Sequence, residues 1–236
     1  MRIAIVSDIH GNRTAFQAIL ADLRQTSPDL VFHGGDLSYG GSHPGEIIDQ
    51  IRSLGWPGVQ GNTDEILWAP ESLPEMPSLL KLRRVIADTT AVSCTWISEE
   101  QKQWLKALPI MHSHENIAVV HASPDSWWRS PLADATDEEL EKTYGPLKAR
   151  VAVYGHIHRS FVRAVHGFTV ANSGCVSLSY DGDRRASYLL IDDLTASVRR
   201  VEYDVEREIR ELKEAGLPHA DWFASVLRAG KYCSPE

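Results

Sequence analysis

Residues 3–12 read IAIVSDIHGN, which places an aspartate and a histidine directly after a run of aliphatic side chains. The segment Arg2–Val6 shows little alternation between polar and apolar residues, a pattern typical of a strand covered on both faces. Asp8 and His10 follow this predicted strand. The pair alone is weak evidence for a site, because aspartate and asparagine also begin turns and cap helices, as Asn12 is expected to do.

The size and composition of the chain favour one large mixed α/β domain. Its 236 residues include 43% hydrophobic and 24% charged side chains, enough to bury a sizeable core, so we predict a single domain over residues 1–236. The formal net charge of −8 offers no basic stripe for duplex nucleic acid. Capture of long duplexes is therefore disfavoured.

The cysteine spacing and the lack of long apolar segments predict the cellular location of the protein. Cys94, Cys175 and Cys233 lie far apart and in no paired motif, so neither a disulfide framework nor a cysteine zinc site is expected. No stretch approaches the roughly 20 apolar residues of a membrane-spanning helix, and the first residues lack a signal-peptide pattern. We expect a soluble cytoplasmic protein with no membrane partner, while the oligomeric state stays open.

Two further strand-like segments are also followed by a side chain that can bind a metal ion. Residues 30–33 lead through two glycines into Asp36, and residues 57–60 predict a third short strand that stops at Asn62. Residues 65–108 are richer in helix-forming side chains, and they predict a helical section packed over the sheet.

The second half of the chain is richer in predicted strands. A hairpin, a buried strand and then five consecutive antiparallel strands are predicted at residues 110–114, 117–120, 151–154, 161–165, 168–171, 176–179, 186–191 and 197–205. Helices are predicted at residues 137–144, 206–215 and 219–228. His121 follows the hairpin, and His156 and His158 follow the buried strand, so these histidines repeat the arrangement seen at the start of the chain.

Side chains of metal-ligand type thus follow five of the predicted buried strands. The seven residues are Asp8, His10, Asp36, Asn62, His121, His156 and His158. Ligands of α/β sheets bind in the crevice beyond the carboxyl ends of the strands, so we expect these side chains to converge on one rim. Each residue alone is equally well explained by a turn or a packed histidine, and the ordered set favours a site.

The chemistry of the set indicates metal ions. Carboxylate, amide and imidazole donors without thiolate suit manganese, iron, zinc, cobalt or nickel better than a calcium cage, and seven donors exceed what one tetrahedral ion uses. We therefore predict two divalent ions. A bridging carboxylate would hold them about 3.5–4 Å apart, the separation that suits in-line displacement at phosphorus.

Five motifs, taken in order, resemble those of the calcineurin-like metallophosphoesterase superfamily. They are SDIHGN, GGDLS, GNTDE, VVHASP and YGHIHRS. The resemblance covers nearly the whole chain and is greatest to the short bacterial and archaeal phosphodiesterase-like branch. It implies a four-layer αββα sandwich, in which two mixed β-sheets are flanked by helices.

The resemblance also implies a role for each ligand. Asp8, His10 and His158 would hold one metal ion, and Asn62, His121 and His156 would hold the other. Asp36 would bridge the two ions, a bridging hydroxide would attack phosphorus, and manganese is the expected metal. His10, Asp36 and Asn62 are the implied catalytic residues, with His10 close enough to contact the phosphate.

Thr63 departs from the superfamily pattern, because many members have a histidine here that protonates the leaving alcohol. Threonine cannot act as a general acid near neutral pH, and loss of such help typically costs about 10²–10⁴-fold in rate. The sequence therefore favours phosphodiester or nucleotide substrates over phosphoserine proteins. The alternatives are a dinucleoside-polyphosphate hydrolase, a broad phosphomonoesterase, or a non-catalytic scaffold that retains the fold.

The remaining candidate residues are substrate contacts and a supporting carboxylate. Trp127, Trp128 and Arg129 lie in a long predicted loop after His121, where aromatic rings could stack on a base and a guanidinium could pair with phosphate. Arg159 follows the last motif and is a similar candidate. Asp64 either orients a neighbouring ligand or is a solvated turn residue.

Overall fold

The computed structural model describes residues 1–235 of the chain. Nine strands lie in this part: β1 (Arg2–Val6), β2 (Leu30–His33), β3 (Met111–His114), β4 (Ile117–Val120), β5 (Val151–Tyr154), β6 (Phe161–Val165), β7 (Phe168–Asn172), β8 (Ala186–Asp192) and β9 (Thr195–Val201). Eight α-helices accompany them: α1 (Arg13–Thr26), α2 (Pro44–Leu54), α3 (Asn62–Trp68), α4 (Leu80–Ser93), α5 (Glu99–Lys106), α6 (Asp137–Tyr144), α7 (Val205–Glu214) and α8 (Ala220–Ala229). Short 3-10 helices cover Pro70–Ser72, Pro77–Leu79 and Gly145–Leu147.

The strands form two mixed sheets with the orders β2-β1-β8-β9 and β3-β4-β5-β7-β6. In the first sheet, β1 pairs in parallel with β2 and antiparallel with β8. In the second sheet, β5 pairs in parallel with both β4 and β7. The strands β3, β6 and β9 pair antiparallel with their neighbours at the sheet edges. The parallel pairs bring the carboxyl ends of β1 and β2 together, and likewise those of β4 and β5.

The two sheets pack face to face around a shared apolar cluster. Ile5 of β1 lies in this cluster with Val119 of β4 and Val153 of β5. The next residue along β1, Val6, faces the opposite way and packs with Phe16 of α1. Both faces of β1 are therefore covered, which explains why its sequence is continuously apolar.

Helices cover the outer face of each sheet. Helices α1, α2, α3 and α5 contribute to the cluster on the first sheet. On the second sheet, Tyr154 packs against Leu140 and Tyr144 of α6, and the rings of the two tyrosines stack with centroids 4.9 Å apart. The predicted αββα sandwich with two mixed sheets is confirmed. Within residues 1–235, no helix has the length and apolar character needed to cross a bilayer.

The third predicted strand, at residues 57–60, is reduced to a single bridge. Gly58 forms an isolated parallel bridge with His33, and the segment is not part of a strand of several paired residues. The amide of Gln60 instead donates to the carbonyl oxygen of Pro109. Helix α3 then begins at Asn62, just before the predicted helical section of residues 65–108, which α3, α4 and α5 largely fill.

The run of consecutive antiparallel strands was predicted wrongly in two respects. Strands β7 and β8 belong to different sheets, so the order of the chain is not the order of pairing. Residues 176–179 form no strand, because the amides of Ser177 and Leu178 donate to the sulfur of Cys175. The amide of Val176 donates to the carbonyl oxygen of Ser7, so this loop packs against the start of the chain.

Glu208 is a buried carboxylic acid in α7, with only 1% of its surface exposed. It accepts hydrogen bonds from the amide of Thr14 at 3.4 Å and the hydroxyl of Ser42 at 3.2 Å. Burial raises the pKa of Glu208 from 4.5 to about 7. The folded protein thus binds this proton more tightly than the unfolded chain does, and the free energy of unfolding falls as pH rises across that window.

Replacing Glu208 by glutamine should remove this pH dependence. We expect Glu208→Gln to be more stable than the wild type at pH 8, by up to about 3 kcal/mol, and to differ little at pH 4.5. Urea unfolding at a series of pH values measures this difference. The exposed Glu214 of the same helix provides the control Glu214→Gln. If the free energy of unfolding has the same pH dependence in all three proteins, the raised pKa of Glu208 is contradicted.

Candidate metal centre

Six of the seven predicted ligands lie in loops that follow strands, and the seventh is the first residue of a helix. Asp8 and His10 follow β1, Asp36 follows β2, and Asn62 is the first residue of α3. His121 follows β4, and the remaining pair, His156 and His158, follows β5. Both sheets therefore contribute residues to the same place, and the side chains fall into two groups joined through Asp36.

The first group contains Asp8, His10, Asp36 and His158. One donor atom from each residue lies within 4.8 Å of the others. The Nε2 atom of His158 lies 3.2 Å from Asp8 Oδ1 and 3.1 Å from the Nε2 atom of His10. The same His10 nitrogen is 3.8 Å from Asp36 Oδ2.

The second group contains Asn62, His121 and His156. The Oδ1 atom of Asn62 lies 2.8 Å from His121 Nε2 and 2.8 Å from His156 Nδ1. His121 Nε2 is also 3.5 Å from Asp36 Oδ1. The two oxygens of Asp36 therefore face different groups, Oδ2 towards His10 and Oδ1 towards His121.

The histidine rings are oriented by backbone carbonyl oxygens. His10 Nδ1 lies 2.9 Å from the carbonyl oxygen of Tyr39, and His158 Nδ1 lies 2.7 Å from that of Leu178. Since a carbonyl oxygen only accepts, each Nδ1 carries the hydrogen. In the neutral rings both Nε2 atoms are then lone-pair donors, and they face each other at 3.1 Å.

Two such lone pairs require a cation between them, either a proton or a metal ion. His121 repeats the pattern, because its Nδ1 donates to the carbonyl oxygen of Gly34 at 2.8 Å and its Nε2 faces oxygen atoms. Nitrogen and oxygen donors held in this way fit divalent transition-metal ions. The donor set thus agrees with the metal ions that the sequence predicts.

Buried charge shapes the protonation of the site. Burial raises the pKa of Asp8, but the hydrogen bond and charge of His158 outweigh it and leave that pKa lowered. Burial lowers the pKa of His121, yet Asp36 and Asp8 reverse this and raise it. Burial and the neighbouring His121 lower the pKa of His156 to about 4. The protonated forms of His121 and His158, whose pKa values are raised, are thus favoured beside the carboxylates, and a metal ion would displace those protons.

Five of the seven candidate ligands have left-handed backbone conformations. Their φ angles are 57° for Asp8, 51° for His10, 53° for Asp36, 65° for His156 and 54° for His158. Residues other than glycine rarely adopt this region, and such strain is concentrated at functional sites in proteins. The backbone geometry therefore identifies the same rim as the side-chain chemistry.

Two glycines let the backbone pass close to the carboxylates. A Cβ atom at Gly61 would lie 2.0 Å from Asp36 Oδ1, and one at Gly155 would lie 2.3 Å from Asp8 Oδ2. Any other residue at either position would displace a candidate ligand. These glycines thus serve the site through their lack of a side chain.

Asp64 is fully buried, so a solvated turn residue is the wrong description of it. Its carboxylate accepts the amide hydrogens of Asp36 at 2.8 Å, Leu37 at 2.9 Å and Gly61 at 3.0 Å. Burial, and then the charge of Asp36, raise its pKa to about 7. Asp64 therefore fixes the backbone on which Asp36 is carried.

The predicted substrate contacts have different surroundings. Trp128 is partly buried against the first-sheet cluster, and its indole donates to Glu65 Oε2 at 2.9 Å, so it anchors its loop to α3. Trp127 is partly buried, while Arg129 and Arg159 are exposed. Arg129 borders an open groove of about 660 Å³, and none of the seven candidate ligands lines that groove.

Sequence reasoning missed the groups that support the ligands. The carbonyl oxygens of Gly34, Tyr39 and Leu178 carry no sequence signal, because every residue has such an oxygen. Cys175 was also missed, although its Sγ and nitrogens of His10 and His158 all lie within 4.8 Å of one another. A signal existed, since Cys175 follows the end of β7 as the predicted ligands follow their strands.

The profile of the calcineurin-like phosphoesterase superfamily domain matches residues 1–195. The chain therefore belongs to the calcineurin-like phosphoesterase superfamily, as its motifs indicated. It is accordingly a metal-dependent hydrolase of phosphoesters, and its structural neighbours include short metallophosphoesterases from bacteria and archaea.

Three relatives are similar over almost the whole chain. An uncharacterized protein of Methanocaldococcus jannaschii is 27% identical in an alignment of 256 positions, gaps included, that covers 97% of this chain and 98% of that protein. A metallophosphoesterase from Sphaerobacter thermophilus is 26% identical, with a TM-score of 0.80 and coverage of 98% of this chain and 99% of that one. A hypothetical protein from Pyrococcus horikoshii, 18% identical over the same shares, has the same fold with a TM-score of 0.85.

The role of Asp64 can be tested with Asp64→Asn. The amide nitrogen would face the backbone N–H groups that the carboxylate now accepts, so we expect a loss of about 1–3 kcal/mol in the free energy of unfolding. Metal affinity should also fall about 10–100-fold, because Asp36 loses its support. Calorimetric titration and urea unfolding measure both effects, with Asp49→Asn on the exposed face of α2 as the control. Wild-type metal affinity in Asp64→Asn would refute this role.

Proposed function

We propose that this protein is a dinuclear metal-dependent phosphoesterase that hydrolyses a phosphodiester or a nucleotide-type phosphoester. The observation that carries the proposal is the position of Asp36. Its two oxygens lie 3.8 Å from His10 Nε2 and 3.5 Å from His121 Nε2, so one carboxylate faces both groups of donors. A carboxylate in this position can bridge two metal ions, one at each group of donors.

Each group would hold one ion, with Asp36 shared. Asp8, His10 and His158 form the first position; Asn62, His121 and His156 form the second. When bound, two cations would supply Lewis acidity, lower the pKa of a water molecule and neutralise the negative charge that builds on the non-bridging oxygens of the phosphoryl group. We propose manganese as the activating ion, since the seven donors are oxygen and nitrogen atoms. We also propose the cytoplasm as the location, since the three cysteines are free thiols.

Hydrogen bonds within the protein hold the candidate ligands in fixed orientations. The carbonyl oxygens bound to His10 and His158 fix the rotation of these rings, so their Nε2 atoms keep one direction. The amide of Thr63 donates to Asp36 Oδ1 at 2.8 Å and fixes the rotation of that carboxylate. Preorganised ligands avoid a cost of reorganisation when substrate binds.

Thr63 also affects which leaving groups the site can accept. It is 7% exposed, next to Asn62, and its side chain cannot protonate a leaving alcohol at neutral pH. Substrates whose leaving group is stable without a proton are therefore favoured, namely aryl esters, nucleotides and activated diesters. All seven candidate ligands are present, whereas a scaffold that had lost turnover would be expected to have lost some of them, so the intact set favours the enzyme.

The bridging role is tested by Asp36→Asn. We expect the variant to lose metal binding and hydrolysis of bis-p-nitrophenyl phosphate together, each by more than about 100-fold. Elemental analysis and a Mn²⁺-supplemented assay measure them, with Asp49→Asn as the control. Activity retained in Asp36→Asn would exclude the bridging role, and wild-type protein that holds metal but cleaves no ester would favour the scaffold.

The leaving-group argument is tested by Thr63→His. The wild type should hydrolyse aryl diesters faster than phosphoserine peptides. In Thr63→His the imidazole can protonate the leaving group, so the ratio of these two rates should fall by up to about 100-fold. Thr63→Gln, which has similar bulk but no acidic proton, should leave the ratio unchanged. Equal wild-type rates on both substrates would show that another group supplies the proton.

A further inference from the structure

The two carboxylate oxygens of Asp8 have different surroundings. Oδ1 lies 3.2 Å from His158 Nε2 and 4.0 Å from His10 Nε2, so it faces the donors of the first group. Oδ2 lies 2.5 Å from the hydroxyl oxygen of Ser7, the residue between β1 and Asp8. The backbone amide of His156 does not distinguish the two oxygens, since it lies 3.2 Å from one and 3.3 Å from the other. The contact that distinguishes them is therefore that of Ser7.

The hydrogen of this contact belongs to the serine. An ionised carboxylate only accepts hydrogen bonds, so the hydroxyl of Ser7 donates to Asp8 Oδ2. A hydroxyl that donates to a carboxylate typically has an oxygen–oxygen distance of about 2.5–2.7 Å, and such a bond is roughly twice as strong as one between neutral groups. Both residues are at most 1% exposed, so bulk water does not compete for the bond. The hydroxyl thus fixes the rotation of the Asp8 carboxylate.

Two glycines leave room for the hydroxyl of Ser7. Gly34 follows β2 of the first sheet, and Gly155 follows β5 of the second sheet. A Cβ atom at Gly34 would lie 2.5 Å from Ser7 Oγ, and one at Gly155 would lie 2.3 Å from it. The hydroxyl therefore lies where loops of both sheets meet, and a side chain at either glycine would displace it. These close walls hold the hydroxyl against Asp8.

We propose that Ser7 is a positioning residue that directs one oxygen of Asp8 to the first metal position, an inference that rests on the proposed function. Because the hydroxyl occupies Oδ2, Oδ1 is left as the oxygen that faces the imidazoles of the first group. Ser7 acts through Asp8 and is not itself a donor to the cation.

The two carboxylates of the site differ in the group that orients them. Asp36 is oriented by a backbone amide, since the N–H group of Thr63 donates to its Oδ1 at 2.8 Å. Asp8 is oriented by a side chain, that of Ser7. A substitution at Ser7 can therefore remove the support of Asp8 and leave that of Asp36 in place. The role of Ser7 thus predicts an effect at the first metal position and none at the second.

The test measures Mn²⁺ binding to the full chain by calorimetric titration, in two backgrounds that each weaken one metal position. His158→Ala removes a donor of the first position, and Asn62→Ala removes a donor of the second. Adding Ser7→Ala to Asn62→Ala should lower the affinity of the remaining site by about 10–100-fold, because a group that orients a ligand is lost. Adding Ser7→Ala to His158→Ala should leave the affinity of its remaining site unchanged.

Two matched controls separate the hydroxyl from a general loss of stability. Ser93→Ala deletes the hydroxyl of another fully buried serine, at the end of α4, and should leave the affinity for Mn²⁺ unchanged. Ser7→Thr and Ser7→Val introduce nearly the same shape and differ in the hydroxyl. Ser7→Thr should therefore bind Mn²⁺ at least about tenfold more tightly than Ser7→Val. If Ser7→Ala does not fold, this pair decides.

The possible failures separate the two proposals. Unchanged affinity after Ser7→Ala would overturn the role of Ser7 and leave the proposed function standing. An equal loss of affinity in the two backgrounds, or equal affinity in Ser7→Thr and Ser7→Val, would also overturn that role alone. Wild-type protein that binds no Mn²⁺ or other divalent transition-metal ion would overturn both proposals.

Discussion

The burial of negative charge is the constraint on which this structure depends. Asp8, Asp36 and Asp64 are at most 2% exposed, and within residues 1–235 no lysine or arginine forms an ion pair with them. Carboxylates without compensation are very costly to bury. Three backbone N–H groups serve Asp64. Asp8 and Asp36 also accept the N–H groups of His156 and Thr63, and they depend further on the imidazoles and on the cations that these donors fit.

The backbone accepts strain in order to bring these groups together. A left-handed conformation costs on the order of 1 kcal/mol or more for a residue other than glycine, and five candidate ligands adopt it. Hydrogen bonds between neighbouring loops hold these conformations in place. The amides of Asp8 and His10 donate to the carbonyl oxygens of Gly35 and Asp36, so the loops after β1 and β2 brace each other.

The convergence of the candidate ligands on one rim could be predicted from the sequence because it follows from strand polarity. Asp8, Asp36 and His121 each come shortly after a strand that pairs in parallel with a neighbour, and the carboxyl ends of such strands share a rim. The loop of Cys175 could not be predicted, since residues 176–179 alternate apolar and polar side chains as a strand does. The amides of Ser177 and Leu178 instead donate to the sulfur of Cys175, and the amide of Val176 donates to the distant carbonyl oxygen of Ser7. The burial of Asp64 could not be predicted from the sequence either, because its hydrogen-bond partners are backbone N–H groups.

The site takes Asp8 and Asp36 from one sheet and His121 and His156 from the other. Its dimensions therefore depend on how the sheets are aligned, which is set by the cluster of Ile5, Val119 and Val153 between them. A small shear of one sheet along the other would change the separation of donor atoms that belong to different layers. An enlarged or truncated side chain in that cluster would thus impair hydrolysis from a distance, although it touches neither ion nor substrate.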